Sequence, residues 1–305
     1  MSIVRHRDAP KLGSEFELEG HQGAVLTAQF DPSGTRIASG GVDRSILLWH
    51  LPTTNIEANY GVIKGHKGAV TCVQWNDDRL LSASSDATVG YWDAETGSRL
   101  RNWKHKDTVN QVVALGVGAA SVSDDGSLLV WDSREKNAVA SVTSEFPLLT
   151  VATNSAQTTL WTAGVDGTVR AYDTRKFDQE LWTCADLGDT ITSLSANYDS
   201  SMLSVRLANG TLRVLNPRDT LPASMSRLTS SIFSGKAPKS LWGCRACFTP
   251  SGLEIISGGN GGVIFDVTSA RLMRQFHDED IVIDVAVTAT NIVTATNKGL
   301  FIMPV

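Results

Sequence analysis

The sequence predicts an all-β protein, a seven-bladed β-propeller whose ring is closed by the N-terminal strand completing the last blade. Three observations predict it. Strands rich in β-branched residues end in an aromatic at Trp49, Trp92, Trp131 and Tyr172, with spacings of 43, 39 and 41 residues, and weaker equivalents follow at Leu215, Phe265 and Phe301. The six intervals average 42, which fits roughly 40 to 45 residues per four-stranded blade. A second marker keeps step with the first: in Gly20-His21, Gly65-His66 and Lys104-His105 the His precedes the aromatic by 28, 26 and 26 residues. A third is an Asp six residues before each strong aromatic, at Asp43, Asp86, Asp125 and Asp166, with Ser39, Ser82, Ser121 and Thr162 four residues earlier again.

The first three blades are specified residue by residue. These markers at these offsets resemble the WD40 repeat, and the resemblance covers almost the whole chain. It implies a buried chain of hydrogen bonds in each blade: Asp accepts from a His ring N–H, the other His nitrogen meets the Ser hydroxyl, and the Ser oxygen receives the donor-only indole N–H of Trp. The sets are His21, Ser39, Asp43 and Trp49; His66, Ser82, Asp86 and Trp92; and His105, Ser121, Asp125 and Trp131. Ser, His and Asp also make up a hydrolase triad, but a triad occurs once with an exposed nucleophile. A set that recurs three times at the blade period, Trp included, is structural.

Later blades lose the signature. The fourth keeps Thr162, Asp166 and Tyr172 but has Phe146 at the His position. The fifth has Asp189 there and Asn209 in the turn, and the sixth has a shortened turn ending at Phe265. Their number rests on period. Phe16 to Leu18 reads as a strand without a blade of its own, and the chain stops just after the third strand of the last repeat. The N-terminal strand is therefore expected to complete the final blade and hide two sheet edges. Residues 1–13 read as an N-terminal extension and 14–305 as one propeller domain. The 50-residue step from Leu215 to Phe265 leaves a surplus at about 216–239, rich in Pro, Ser and Thr, which reads as a long loop beside the sixth blade.

Composition narrows the function. Lys and Arg total 27 against 32 Asp and Glu, a net charge of -5, so no global positive field draws the chain to RNA or anionic lipid. Any RNA contact is expected to be local, and the sequence leaves open whether Arg99, Arg101, Lys104 and Lys106 make one. The longest apolar run, Val112 to Ala120, is too short to span a bilayer, and the first residues lack a secretory core, so an intracellular protein with reduced thiols is expected. Cys244 and Cys247 form a lone CxxC, without the second pair of ligands that zinc requires. No Gly-rich phosphate loop, nucleophile elbow or unexplained carboxylate pair appears, which argues against an enzyme and against a cofactor.

WD40 propellers generally bind partners on the rim around the central channel. By motif position, the rim here includes Leu26, Val42, Thr71, Ser85, Asn110, Asp124, Leu149, Val165 and Thr192. None is Lys or Arg, so the rim reads as protein-facing. Three segments are similar in wording and order to one family, the WD40 subunits of the U5 small nuclear ribonucleoprotein: Ala38 to Trp49, Ser82 to Gly97 and Ser123 to Arg134. That resemblance implies a nuclear scaffold of the spliceosome, binding the large pre-mRNA-processing factor 8 and other U5 proteins. A rival lies in Trp131-Asp-Ser-Arg134 and Tyr172-Asp-Thr-Arg175, which resemble the motif by which WD40 substrate receptors dock on a cullin-4 ubiquitin ligase adaptor through Arg134 and Arg175.

Overall fold

The computed structural model describes residues 15–51, 59–218, 228–233 and 243–305. Every regular element among them is a β-strand, as the alternating β-branched runs require. Five antiparallel four-stranded sheets follow one another along the chain. The first comprises Val25–Phe30, Arg36–Gly41, Ser45–His50 and Asn59–Lys64. The second comprises Val70–Asn76, Arg79–Ser84, Thr88–Asp93 and Arg99–Lys104. The third, fourth and fifth begin at Val109–Leu115, Leu148–Thr153 and Ile191–Ala196. Successive first strands lie beside one another and form the inner wall of the propeller.

The expected arrangement of seven separate blades is corrected in one respect. The remaining strands form a single seven-stranded sheet, because Leu272–Val287 runs unbroken from an outer position to an inner one. Its first part pairs with Gly259–Asp266 through Gly262↔Phe276, and Gly259↔Val282 stitches the same strand again beyond the bend. The bend is His277, in the left-handed region at φ 55°. At the far edge Phe16–Glu17 pairs antiparallel with Leu300–Pro304, Phe16 opposite Ile302, and the Leu18 amide bonds the Leu300 carbonyl. The N-terminal strand thus joins the strands at the end of the chain.

The segment read as a loop at 216–239 contains a strand. Leu228–Phe233 pairs with Leu212–Leu215 as the fourth strand of the fifth sheet, with Leu212 opposite Phe233. A run of Leu, Thr, Ser, Ile and Phe has the composition of an edge strand, which the flanking prolines mask in the sequence. Residues 219–227 and 234–242 lie outside the described residues, as does the extension 1–13.

Apolar cores sit between neighbouring sheets. Ala38, Ile46, Leu48 and Ile63 pack on Val70, Val73, Trp75 and Trp92, joining the first sheet to the second. Leu18, Ala286, Val293 and Ile302 pack on Val25, Ile37 and Trp49, joining the seven-stranded sheet back to the first. Within that sheet, Ile256 and Ile264 pack on Val285 and Ile292 across the bend. A row of side chains on the inner strands reinforces these cores. Thr27 accepts from the Val73 amide, Gln111 from Val151, Thr150 from Leu194, Ser193 from Ala246 and Asp284 from Ala28. Each ties one inner strand to the next, satisfying backbone groups that the sheets leave unpaired.

Candidate interaction surface

The three predicted sets lie at the turns between the second and third strands of the first three sheets. In the first, the His21 Nδ1 donates to Asp43 at 2.9 Å, the Ser39 hydroxyl meets His21 Nε2 at 2.8 Å, and the Trp49 indole donates to Ser39 at 2.8 Å. The second matches it, with 3.0 Å from His66 to Asp86, 2.7 Å to Ser82 and 2.8 Å from Trp92 to Ser82. The third differs. Asp125 stands 3.7 Å from His105, and Ser127 intervenes: His105 Nδ1 donates to Ser127 at 2.8 Å and the Ser127 hydroxyl donates to Asp125. Ser121 still joins His105 and Trp131.

Burial alone would raise the Asp43 and Asp86 carboxyls. Hydrogen bonds to His21 and the Gln22 amide outweigh it at Asp43, as do those from Thr88, the Lys67 amide and His66 at Asp86, and both groups are held at about 2. Burial pushes His105 down to about 4, with Asp125 only partly opposing it, and it lowers His66 as well. A neutral imidazole that donates from Nδ1 and accepts the Ser hydroxyl at Nε2 matches this electrostatic setting. None of the three serines is free to attack a substrate, since Ser39, Ser82 and Ser121 are each fully buried between imidazole and indole.

The predicted rim surrounds the same face. The residue before each turn bonds back to the start of its inner strand: Val42 to Ala24, Ser85 to Ala69, Asp124 to Thr108 and Val165 to Pro147. Of the nine rim residues, Val42, Ser85 and Val165 are exposed. The others are half-buried or buried, and three direct their polar groups inward. Thr71 donates to the Val109 carbonyl, Asn110 to Asp124 and the Leu148 carbonyl, and Thr192 to the Cys244 carbonyl. They fasten sheets together. The exposed surface of this face is therefore apolar at Val42, Phe146 and Val165.

Sequence reasoning missed the residue that fills the channel throat. Arg245 precedes the inner strand Ala246–Phe248 and reaches across to Thr27 and Asp284 through Nη1, and to the Thr71 and Asn110 carbonyls through Nη2. Asp284 is only 1% exposed, so this is a buried ion pair with its remaining donors satisfied. A cavity of about 480 Å³ lies against it, lined by Gln29, Gln74, Gln111, Cys247 and Asp284 among others. The predicted rim residues stop at Thr192, so Arg245 lay outside them, because the sixth repeat has no Gly-His marker to set its register. Burial pushes the Cys247 thiol up to about 12, keeping it protonated, and Cys244 precedes the strand that carries Cys247.

A second missed group repeats the hydrogen-bond set in the last strands. His277 bonds Thr294 at 3.0 Å and Glu15 at 3.0 Å, and its ring lies 4.9 Å from that of Phe301. Thr294 takes the Ser role, but no donor takes the Trp role: Phe301 lies directly opposite Thr294 and has no N–H, and Met303, opposite Ile292, stands where Trp49 stands opposite Ile37. The carboxylate comes from the N-terminal segment instead of the turn, where Lys298 occupies the Asp position. A His with a Thr 17 residues later was the available signal, against separations of 16 to 18 in the first three sets.

The two candidate adaptor arginines differ. Arg134 is folded back on Asp132, with Nε and Nη2 both donating to that carboxylate. The Arg175 amide bonds the Asp173 side chain.

Comparison with known proteins agrees with the repeat. The family described as WD domain, G-beta repeat matches residues 13–50 and 58–93. The pre-mRNA-splicing factor cwf17 of Schizosaccharomyces pombe is 41% identical over 166 residues, covering 52% of this chain and 48% of that protein. The U5 small nuclear ribonucleoprotein 40 kDa protein of Dictyostelium discoideum is 33% identical over 176 residues, 56% of this chain and 49% of that one. In these two the chain spans about half the length of the relative. The human U5 small nuclear ribonucleoprotein 40 kDa protein is 33% identical over 269 residues, covering 85% of this chain and 73% of that protein.

Proposed function

The chain belongs to the family of the U5 small nuclear ribonucleoprotein 40 kDa protein, and from that premise we propose that it is a non-catalytic protein-binding scaffold of the spliceosome. One observation carries the reading: similarity at 33% identity extends over 85% of the chain, well beyond the repeats that many propellers share. The scaffold works in the nucleus, within the U5 particle, and its main partner is the large pre-mRNA-processing factor 8. It performs no chemistry of its own, because its recurrent Ser, His and Asp residues are consumed in the blades. The partner surface is the face bearing Val42, Phe146 and Val165, where apolar side chains stand at the rim of a rigid ring.

We read the architecture as one domain of seven blades over 14–305. The seven-stranded sheet then counts as two blades sharing Leu272–Val287, and the apolar packing across the bend at His277 supports that division. The repeated Asp-x-Arg at Arg134 and Arg175 supports a second reading, a substrate receptor of a cullin-4 ubiquitin ligase. Against it, the Arg134 guanidinium is engaged by Asp132 within its own turn.

Affinity purification of the tagged chain from nuclei, followed by mass spectrometry, tests both readings. The scaffold reading expects U5 proteins, retained when Arg134 and Arg175 are changed to Glu. Recovery of ligase adaptor that the double variant loses, with U5 proteins absent, would establish the receptor reading instead.

A further inference from the structure

The outer strand of the second sheet, Arg99–Lys104, is the most basic edge of the molecule. It carries Arg99, Arg101 and Lys104 with no acidic residue, and Lys106 follows at once. The other outer strands differ: Asn59–Lys64 has one cation, Ala140–Thr143 has none, and Lys176–Cys184 sets Lys176 against Asp178 and Glu180. As the terminal strand of its sheet, Arg99–Lys104 pairs only with Thr88–Asp93 among the described residues, which leaves its second edge without a strand partner among them.

The strand is held rigidly. Trp103, 1% exposed, is stacked between Tyr91 at 5.8 Å and Trp131 at 5.5 Å, and its indole donates to the Glu135 carbonyl. Arg99 lies over the Trp92 ring at 4.1 Å. With the backbone fixed in this way, little ordering cost remains for a ligand that pairs along it. Lys104 and Lys106 are exposed, Arg101 is half-buried, and none of the three is in an ion pair among the described residues. Three nearby acids are engaged elsewhere: Asp93 pairs with Arg79, Asp86 with His66 and Thr88, and Asp107 accepts from the Thr108 amide.

We propose that this edge docks an acidic, extended segment of a partner protein by strand addition. Backbone groups of the incoming segment pair with the free edge, its carboxylates on one face of the sheet meeting Arg101 and those on the opposite face meeting Lys104, since residues three apart on a strand point to opposite faces. Two alternatives fit less well. A second copy of the same edge would bring like charges together, which is how lysines on edge strands prevent self-pairing. Single-stranded RNA needs exposed rings to stack on, and the aromatic of this strand is buried. The inference rests on the strand's own chemistry and holds whichever assembly the chain joins.

Fluorescence anisotropy on the purified full chain tests it without other spliceosomal components. The probe is a labelled oligoglutamate peptide, which presents carboxylates on both faces of an extended strand, compared with the same peptide N-methylated at alternate residues and with a single-stranded RNA of equal length. The acidic peptide should bind, and Arg101→Glu with Lys104→Glu should weaken it about tenfold. N-methylation should abolish binding, since it blocks backbone pairing and leaves the charge intact. Lys104→Glu with Lys106→Glu, both at exposed sites, serves as a second variant, with melting temperature as the check on folding. No binding of the acidic peptide, undiminished binding of the N-methylated one, undiminished binding by both variants, or tighter binding of RNA would each overturn the proposal.

Discussion

A serine hydroxyl with two obligations explains much of the blade chemistry. Ser82 accepts from Trp92 and donates to His66, and all three side chains lie out of solvent. Replacing it with alanine leaves an indole donor and an imidazole acceptor buried without partners, at a cost of about 2–3 kcal/mol. Ser82→Ala should therefore lower the denaturation midpoint far more than Ser85→Ala, three residues away at an exposed site. The histidines set the response to acid. Those buried as neutral rings have folded values below their unfolded ones, so the unfolded chain takes up protons first and stability falls as pH drops. For His105 that window runs from 6.5 down to about 4, and the loss amounts to at most about 3 kcal/mol. Asp43 and Asp86 add a second loss between 3.8 and about 2. A melting temperature that declines in two stages on acidification is expected. A flat profile between pH 6.5 and 4 would refute the neutral, buried histidines.

Among the elements, the N-terminal strand and the long bent strand set the closure of the ring. Phe16–Glu17 contributes only two residues of pairing, yet Leu18 is buried in the core with Trp49 and Ile302, and Glu15 completes the His277 set. A chain beginning at Gly20 should lose soluble yield or cooperative melting, measured by calorimetry. An unchanged melting temperature would contradict this closure. Glu15→Ala should act in the same direction but more mildly, by less than about 1 kcal/mol, because that carboxylate is partly exposed. The first three sheets were legible in the sequence because each carries its own His, Ser, Asp and Trp within a single repeat. The His277 set was not, since its carboxylate comes from the other end of the chain and Met303 stands at the Trp position. Leu228–Phe233 was hidden between prolines, and the role of Ser127 could not be read from spacing, because any serine after a turn Asp looks alike in sequence. Arg245 was missed for a related reason: its four contacts lie on strands far away in the chain.

At the scale of the whole molecule, stiffness and surface chemistry matter more than any single site. The inner strands are bonded to one another by Thr27, Gln111, Thr150, Ser193 and Asp284, and Arg245 spans the throat. Such a ring presents its faces without rearrangement, which suits a scaffold that lowers the ordering cost of its partners. The net charge of -5 leaves a local basic edge on the second sheet and an apolar rim on the turn face, two chemically distinct places for proteins to attach. Fold and function stand on different supports: the propeller follows from the repeat, whereas the assembly is proposed from family membership. Quantitative mass spectrometry of the tagged chain purified from nuclei therefore tests the central claim most directly. Enrichment of U5 proteins, with pre-mRNA-processing factor 8 the most abundant partner, is the predicted result, and recovery without any U5 component would contradict it.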